Sequence, residues 1–491
     1  MSKIIVIGSG VSGLTSAAFL AKQGHEVTVL EKNNIVGGRA RQYTHEGFVF
    51  DMGPSWYWMP EVFENFYQKF GFTTSDFYEL KRIDPSYRVF WKNDEYTDVP
   101  ANYDELLALF ESIEQGSAKK LDKFLKEAQY KYEVGMNDLV FKPGVSLTEF
   151  IDKRVISGMF KLQLFSSFEK HIRAHFTHPK LLSLLEFPIL FLGATAKETP
   201  ALYSLMNYAD LKLGTWYPMG GMYKMIEAFE HIATSQGVKI NVDHEVTGFR
   251  YANNKVVGVD TVNGSFEADI VVSSADYAHT DDLLDGHANY TKKYWDKRTM
   301  APSSLLFYLG IDKKIEGLHH HNLFFDEDFS VHAHEIYTEP QWPSKPLFYA
   351  CCPSKTDATV APSGKENLFV LIPIAPDLKD DKLLHDKYFE LIMDKLEART
   401  GTSIRDAISY KRSYSLNDFK KDYHAYKGNA YGLANTLRQT AILKPKLKHK
   451  KLSNFYYTGQ LTTPGPGLPP AIISGEVVAR QIQLATTEKS I

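Results

Sequence analysis

Lys3-Ile4-Ile5-Val6-Ile7 is a β-branched run that reads as a buried strand, and Gly8-Ser9-Gly10-Val11-Ser12-Gly13 follows it without a gap. An Ala-rich apolar run with helical spacing then extends from Leu14 to Lys22. Gly24 ends it, and Glu26-Val27-Thr28-Val29-Leu30 reads as a second strand closing on Glu31. The whole is a βαβ unit, which commits this part of the chain to a parallel sheet. Gly8 permits the tight turn, Gly10 lets a pyrophosphate approach the backbone, and Gly13 lets the helix pack close to the sheet. The helix N-terminus presents free N–H groups and a partial positive charge to phosphates. Glu31 stands 18 residues beyond Gly13 (31 − 13), near the roughly 20 expected for a carboxylate that binds ribose hydroxyls. An acidic residue there favours a free 2′-OH, so FAD or NAD rather than NADP. Val11, Ser12 and Lys32 share the candidate nucleotide site with these residues.

At 491 residues the chain exceeds one simple core, so two domains are expected. The formal charge of −3 gives no sign of a nucleic-acid partner. The two cysteines, Cys351 and Cys352, are adjacent, a placement that rarely bridges, and no C-x-x-C pattern exists. A reduced, cytosolic setting fits. The chain opens directly on a strand rather than on a cleavable leader, and no apolar run reaches the ~18 residues of a membrane span.

Ile35-Val36-Gly37-Gly38-Arg39 follows the second strand. It resembles the G-G-R signature of the flavin amine oxidase and carotenoid desaturase superfamily, and the resemblance implies FAD, with Gly38 near the dinucleotide and Arg39 facing its phosphates or ring. Phe50-Asp51-Met52-Gly53-Pro54-Ser55-Trp56 resembles a motif of bacterial-type carotenoid desaturases whose turn passes the flavin, which nominates Ser55 and Trp56. Gly214 to Met222 resembles the segment that returns the family's chain to its cofactor domain. By the same resemblance, Val246 meets the adenine through its backbone and Asp276 lies beside the same nucleotide. Thr463-Pro464-Gly465-Pro466-Gly467-Leu468-Pro469-Pro470 resembles the desaturases' Pro/Gly loop before the last helix. It nominates Gly459, Gly467, Leu468 and Ile472, with the helix's positive end toward the flavin.

The chain is thus identified as a member of the bacterial-type phytoene desaturase family. The resemblance implies an α/β fold, with an α+β second domain. Residues 1–80, 223–300 and 445–491 would form a Rossmann-type FAD domain. Residues 81–102 and 301–444 would form a mixed-sheet substrate domain, and 103–222 an inserted helical subdomain. The implied reaction introduces C=C bonds into a long carotene taken from a membrane. Later-acting 3,4-desaturation of a hydroxylated or cyclised carotenoid and carotene isomerisation use the same fold. A flavin amine oxidase and a non-redox prenyl-lipid carrier are the further alternatives.

The apolar stretch from Leu147 to Phe191 suits either a membrane-facing cap or a buried core. The run Lys444-Pro445-Lys446-Leu447-Lys448-His449-Lys450-Lys451 suits an anionic headgroup surface or a solvated loop. Peripheral attachment at the inner face of the membrane is the expected localisation. Residues 61–80 are expected to be helical. His319-His320-His321 is expected to be a loop tract and not a metal site, because three consecutive histidines cannot all face one ion. No residue is singled out as the catalytic base. Gln460-Leu461-Thr462 departs from the small residues usual in relatives, and oligomeric state leaves no mark on the sequence.

Overall fold

The computed structural model describes residues 1–146, 149, 163, 166–436 and 438–487. Much of the Leu147–Phe191 stretch therefore lies outside the described residues. Strand β1 (Lys3–Ile7), helix α1 (Val11–Lys22) and strand β2 (Glu26–Leu30) form as the sequence reads. β1 sits at the centre of a five-stranded parallel sheet. On one side it pairs with β2, which pairs in turn with Lys239–Asn241. On the other it pairs with Ile270–Ser273 and then Phe455–Tyr457. Every strand in the sheet therefore ends at the same edge, where ligands of open α/β sheets bind.

A second, seven-stranded sheet gathers Tyr87–Phe90 and Tyr96–Val99 with five strands from the C-terminal half. Its longest ladder pairs Ser303–Ile311 with Glu366–Ile374. Side chains alternate across a strand. Leu305, Phe307 and Leu309 accordingly pack with Phe389, Ile392 and Leu396 of the helix Lys382–Thr400. Leu306 and Tyr308 face the other way, toward the first sheet. Between the two sheets lies a cavity of about 870 Å³. Helical segments of the insertion, including Ser117–Val134 and Pro179–Glu186, lie beside it, and Met136, Phe187, Leu202 and Met206 close one end.

Three local expectations change. The helix expected over 61–80 spans only Pro60–Gln68. Gly71, at φ +85°, turns the chain, and Leu80–Arg82 becomes a strand against Trp216–Pro218. The histidine tract is not all loop, because His321 opens the strand His321–Phe324. The lysine run is not a uniform basic face. Lys444 is buried, Lys446 donates to the carbonyl of Gly144, and only Lys448, Lys450 and Lys451 are exposed. Both cysteines are free and buried. Among the described residues no helix is long and apolar enough to cross a membrane.

Candidate FAD and substrate site

Gly8 turns the chain at φ +92°, its N–H bonded to the Leu30 carbonyl at 2.8 Å. A Cβ on Gly13 would stand 2.0 Å from the Gly8 carbonyl oxygen, so only glycine allows α1 to start this close to β1. Gly13 does not itself line the cavity, whereas Gly8, Gly10, Val11 and Ser12 do. At Gly10 a Cβ would meet nothing within 4 Å. Its missing side chain opens onto the cavity at the first, free N–H groups of α1.

The C-terminal helix, Leu468–Thr487, brings a second N-terminus to the same place. Gly475 makes this packing feasible, since a Cβ there would lie 2.6 Å from the Ser12 carbonyl oxygen. Gly459, Gly467 and Leu468 line the cavity as expected by position. Ile472 does not. It is buried behind the wall, and Ile473 takes the lining position.

Glu31 is buried at the nucleotide end. Its Oε2 accepts from the Ser9 N–H at 2.8 Å and the Ser9 hydroxyl at 2.6 Å, and Oε1 accepts from the N–H and amide Nδ2 of Asn33, both at 2.9 Å. Both side-chain donors rotate away easily, so ribose hydroxyls can replace them without disturbing the backbone bonds. Lys32, Val246 and Asp276 line the same end. Lys32 Nζ lies 3.0 Å from His424 Nε2 and 3.7 Å from Glu245. Asp276 caps the helix Tyr277–Leu283 by accepting from the N–H groups of Ala278 and His279, and it also accepts from that of Tyr426. Burial raises the Asp276 carboxyl above its ordinary range, and the positive charge of Arg39 opposes that rise.

Gly38, Arg39, Ser55 and Trp56 line the middle of the cavity. Arg39 is half-buried, its Nε has no partner, and its guanidinium lies 5.2 Å from the Tyr423 ring. Burial lowers its pKa. With the Gln460 amide oxygen turned toward it, Gln460 accepts from Nη2 and Nη1 at 3.0 and 3.1 Å. Asp51 holds two of the sequence motifs together. Its half-buried carboxylate accepts from the N–H groups of Met222 and Tyr223 and from Gln42, fixing the Gly-Pro turn against the segment returning from the insertion.

These features fit FAD: open space over Gly10, two helix N-termini, a buried carboxylate with exchangeable donors, and a half-buried guanidinium with an unmet Nε donor. Beyond Trp56 the cavity becomes apolar, lined by Phe187, Leu192, Phe325, Ile336 and Leu347. Sequence reading missed Ser9, Asn33, Gln460 and Tyr349. Only Gln460 carried a signal, through the Gln460-Leu461-Thr462 segment that the sequence singled out.

His320, His321 and Cys351 also converge, with ligand-type atoms within 4.8 Å, while His319 turns outward toward Asp98. The two buried imidazoles already bond elsewhere, His320 Nδ1 to Thr356 at 2.7 Å and His321 Nδ1 to the Tyr349 hydroxyl at 2.6 Å. Burial raises the Cys351 thiol far above its ordinary range, which disfavours the thiolate a metal needs.

Residues 11–483 match the family described as flavin containing amine oxidoreductase. The carotenoid 3,4-desaturase of Haloarcula japonica is 40% identical over 98% of this chain and 97% of its own. The zeta-carotene-forming phytoene desaturase of Myxococcus xanthus is 31% identical over 98% and 93%. Among solved structures, an oxidoreductase from Methanosarcina mazei superposes with a TM-score of 0.65 at 18% identity, covering 97% of this chain and 100% of its own, a likeness of fold. The chain is a FAD-dependent oxidoreductase that belongs to the flavin containing amine oxidoreductase family, on the side of its carotenoid desaturases.

Proposed function

We infer that this chain desaturates a long carotenoid. The observation that carries the reading is a single cavity joining a nucleotide end at Glu31 to an apolar end at Phe187 and Leu347. A hydrocarbon offers no polar handle, so shape and exclusion of water must align it. When bound, FAD would supply the acceptor for the electron pair of the C–H bond that breaks. The chain's own residues do the rest. Glu31, Gly10 and the two helix N-termini hold the dinucleotide, Arg39 stands at its middle, and the aromatic wall from Trp56 to Phe187 orients the polyene and keeps the site dry.

Two substrate stages compete within this reading. Higher identity to a 3,4-desaturase (40%) than to a phytoene desaturase (31%) supports a later-acting enzyme. The test is to incubate the FAD-loaded protein with phytoene and, separately, with a hydroxylated acyclic carotene, both in liposomes. New long-wavelength polyene bands with either one support desaturation, and the faster substrate names the stage. Flavin that stays oxidised with both overturns it.

In the same reading, residues 1–80, 223–300 and 445–491 act as the FAD domain, 81–102 and 301–444 as the substrate domain, and 103–222 as a helical cap. A carotene dissolves in membranes, so the protein works as a peripheral enzyme at the cytoplasmic membrane face, with the exposed Lys448, Lys450 and Lys451 favouring anionic lipid. Sedimentation with anionic liposomes at low salt supports that attachment, and a protein that stays in the supernatant overturns it.

A further inference from the structure

Desaturation removes two hydrogens from adjacent carbons, and one of them leaves as a proton that needs an acceptor. Several ionisable groups on the cavity wall are already committed to structural bonds. Glu31 accepts four hydrogen bonds and Asp276 three. Asp422 pairs with Arg41. His332 is bonded through both nitrogens, Nδ1 to the Leu347 N–H at 3.0 Å and Nε2 to the Pro373 carbonyl at 2.8 Å. All of these are held in place by structural bonds.

Tyr349 differs. It lines the apolar part of the cavity beside Trp56, and its hydroxyl lies 2.6 Å from His321 Nδ1. With the imidazole proton on Nε2, Nδ1 accepts the phenolic O–H. Nε2 is buried and has no partner. The imidazole is wholly buried and stacks on the Trp56 indole, with ring centroids 4.1 Å apart and planes at 10°. Burial holds His321 well below its ordinary range, so its ring is neutral and its lone pair available. The indole face would stabilise the ring when it becomes positive.

We propose that Tyr349, backed by His321, is the proton acceptor of the desaturation. This rests on the desaturase reading above. One substrate carbon would lose hydrogen together with its bonding electron pair, for which a bound flavin would be the acceptor. At the adjacent carbon the C–H electrons become the new π bond, and the proton passes to Tyr349 Oη as the phenolic proton passes to His321 Nδ1. A carbon beside an electron-deficient allylic centre is strongly acidic, so a weak base suffices. Tyr349 touches the substrate and is the catalytic residue, and His321 acts through it.

The test uses the FAD-loaded enzyme, mixed anaerobically with its polyene in liposomes while flavin bleaching is followed. Failure of the wild-type protein with every polyene overturns the desaturase reading itself. Given an active wild type, Tyr349→Phe should slow bleaching by about 10²–10³-fold, within the range of general-base catalysis. Its flavin spectrum should be unchanged and its substrate affinity within about threefold. His321→Phe, which keeps an aromatic ring against Trp56, should show a similar loss. In 15N-histidine spectra of the holoenzyme, Tyr349→Phe should shift one imidazole resonance, reporting loss of the 2.6 Å bond. Tyr349→Phe bleaching at the wild-type rate, or leaving every histidine resonance in place, overturns the assignment.

Discussion

With the Gln460 amide oxygen turned toward Arg39, both guanidinium Nη atoms donate to it, at 3.0 and 3.1 Å. The two residues come from opposite ends of the chain, from the turn after β2 and from the segment after the last strand of the parallel sheet. Gln460 is therefore the residue that holds the half-buried Arg39. Gln460→Leu keeps the volume and removes the acceptor, leaving guanidinium donors unmet. Unfolding of the apoprotein in denaturant should show a loss of about 1–3 kcal/mol. An unchanged midpoint would mean that Arg39 finds another partner.

Gly10 and Gly53 separate binding from folding. A Cβ at Gly53 would lie 2.2 Å from the Arg39 carbonyl oxygen, a clash with backbone. Gly53→Ala should therefore destabilise the apoprotein by about 1–3 kcal/mol or more. At Gly10, φ is −68° and a Cβ meets nothing within 4 Å. Gly10→Ala should leave the apoprotein's melting temperature unchanged while abolishing FAD uptake, because the methyl group occupies the space over the helix N-terminus. Thermal melts beside flavin fluorescence titrations decide both.

Glu31→Gln keeps one acceptor oxygen and loses the charge. Hydrogen bonds to a charged group contribute about 1.5–3 kcal/mol, so the FAD dissociation constant should rise by about 10- to 150-fold. Titration of the apoprotein with FAD, followed by quenching of flavin fluorescence, measures it. A change under threefold would remove Glu31 from the ribose.

Lys444 gives a pH signature. It is buried, its Nζ has no partner, and burial alone pulls its ammonium down to about 7. The unfolded chain keeps the ordinary value of 10.5. Below about 7 both states are protonated, and the folded protein carries the full penalty of a buried charge. Between about 7 and 10.5 the unfolded chain binds more protons, so this contribution to stability rises with pH. Lys444→Met should thus be more stable than wild type at pH 6, by up to several kcal/mol. The gap should narrow steadily toward pH 10. A gap that is constant with pH would show that Lys444 is not the titrating group.

What could be read in advance was whatever is local in the chain. The βαβ unit from Lys3 to Glu31 declares itself because a glycine's missing side chain, a strand's β-branching and a helix's spacing are properties of neighbours. The turn motifs at Asp51 and Pro464 were visible for the same reason. The break at Gly71 was missed because Leu80–Arg82 becomes a strand through a partner, Trp216–Pro218, more than a hundred residues away.

The sequence by itself determined the dinucleotide unit, the acidic residue at its end and Gly13, which lets the first helix pack close to its sheet. Tertiary structure alone decided which side chains meet across it: Gln460 with Arg39, Asp51 with the Met222 turn, and Tyr349 with His321 against Trp56. These pairs join strands, turns and sheets distant in sequence, and their hydrogen bonds depend on fractions of an ångström. No spacing along the chain encodes such distances, because they exist only once the two sheets have closed around the cavity.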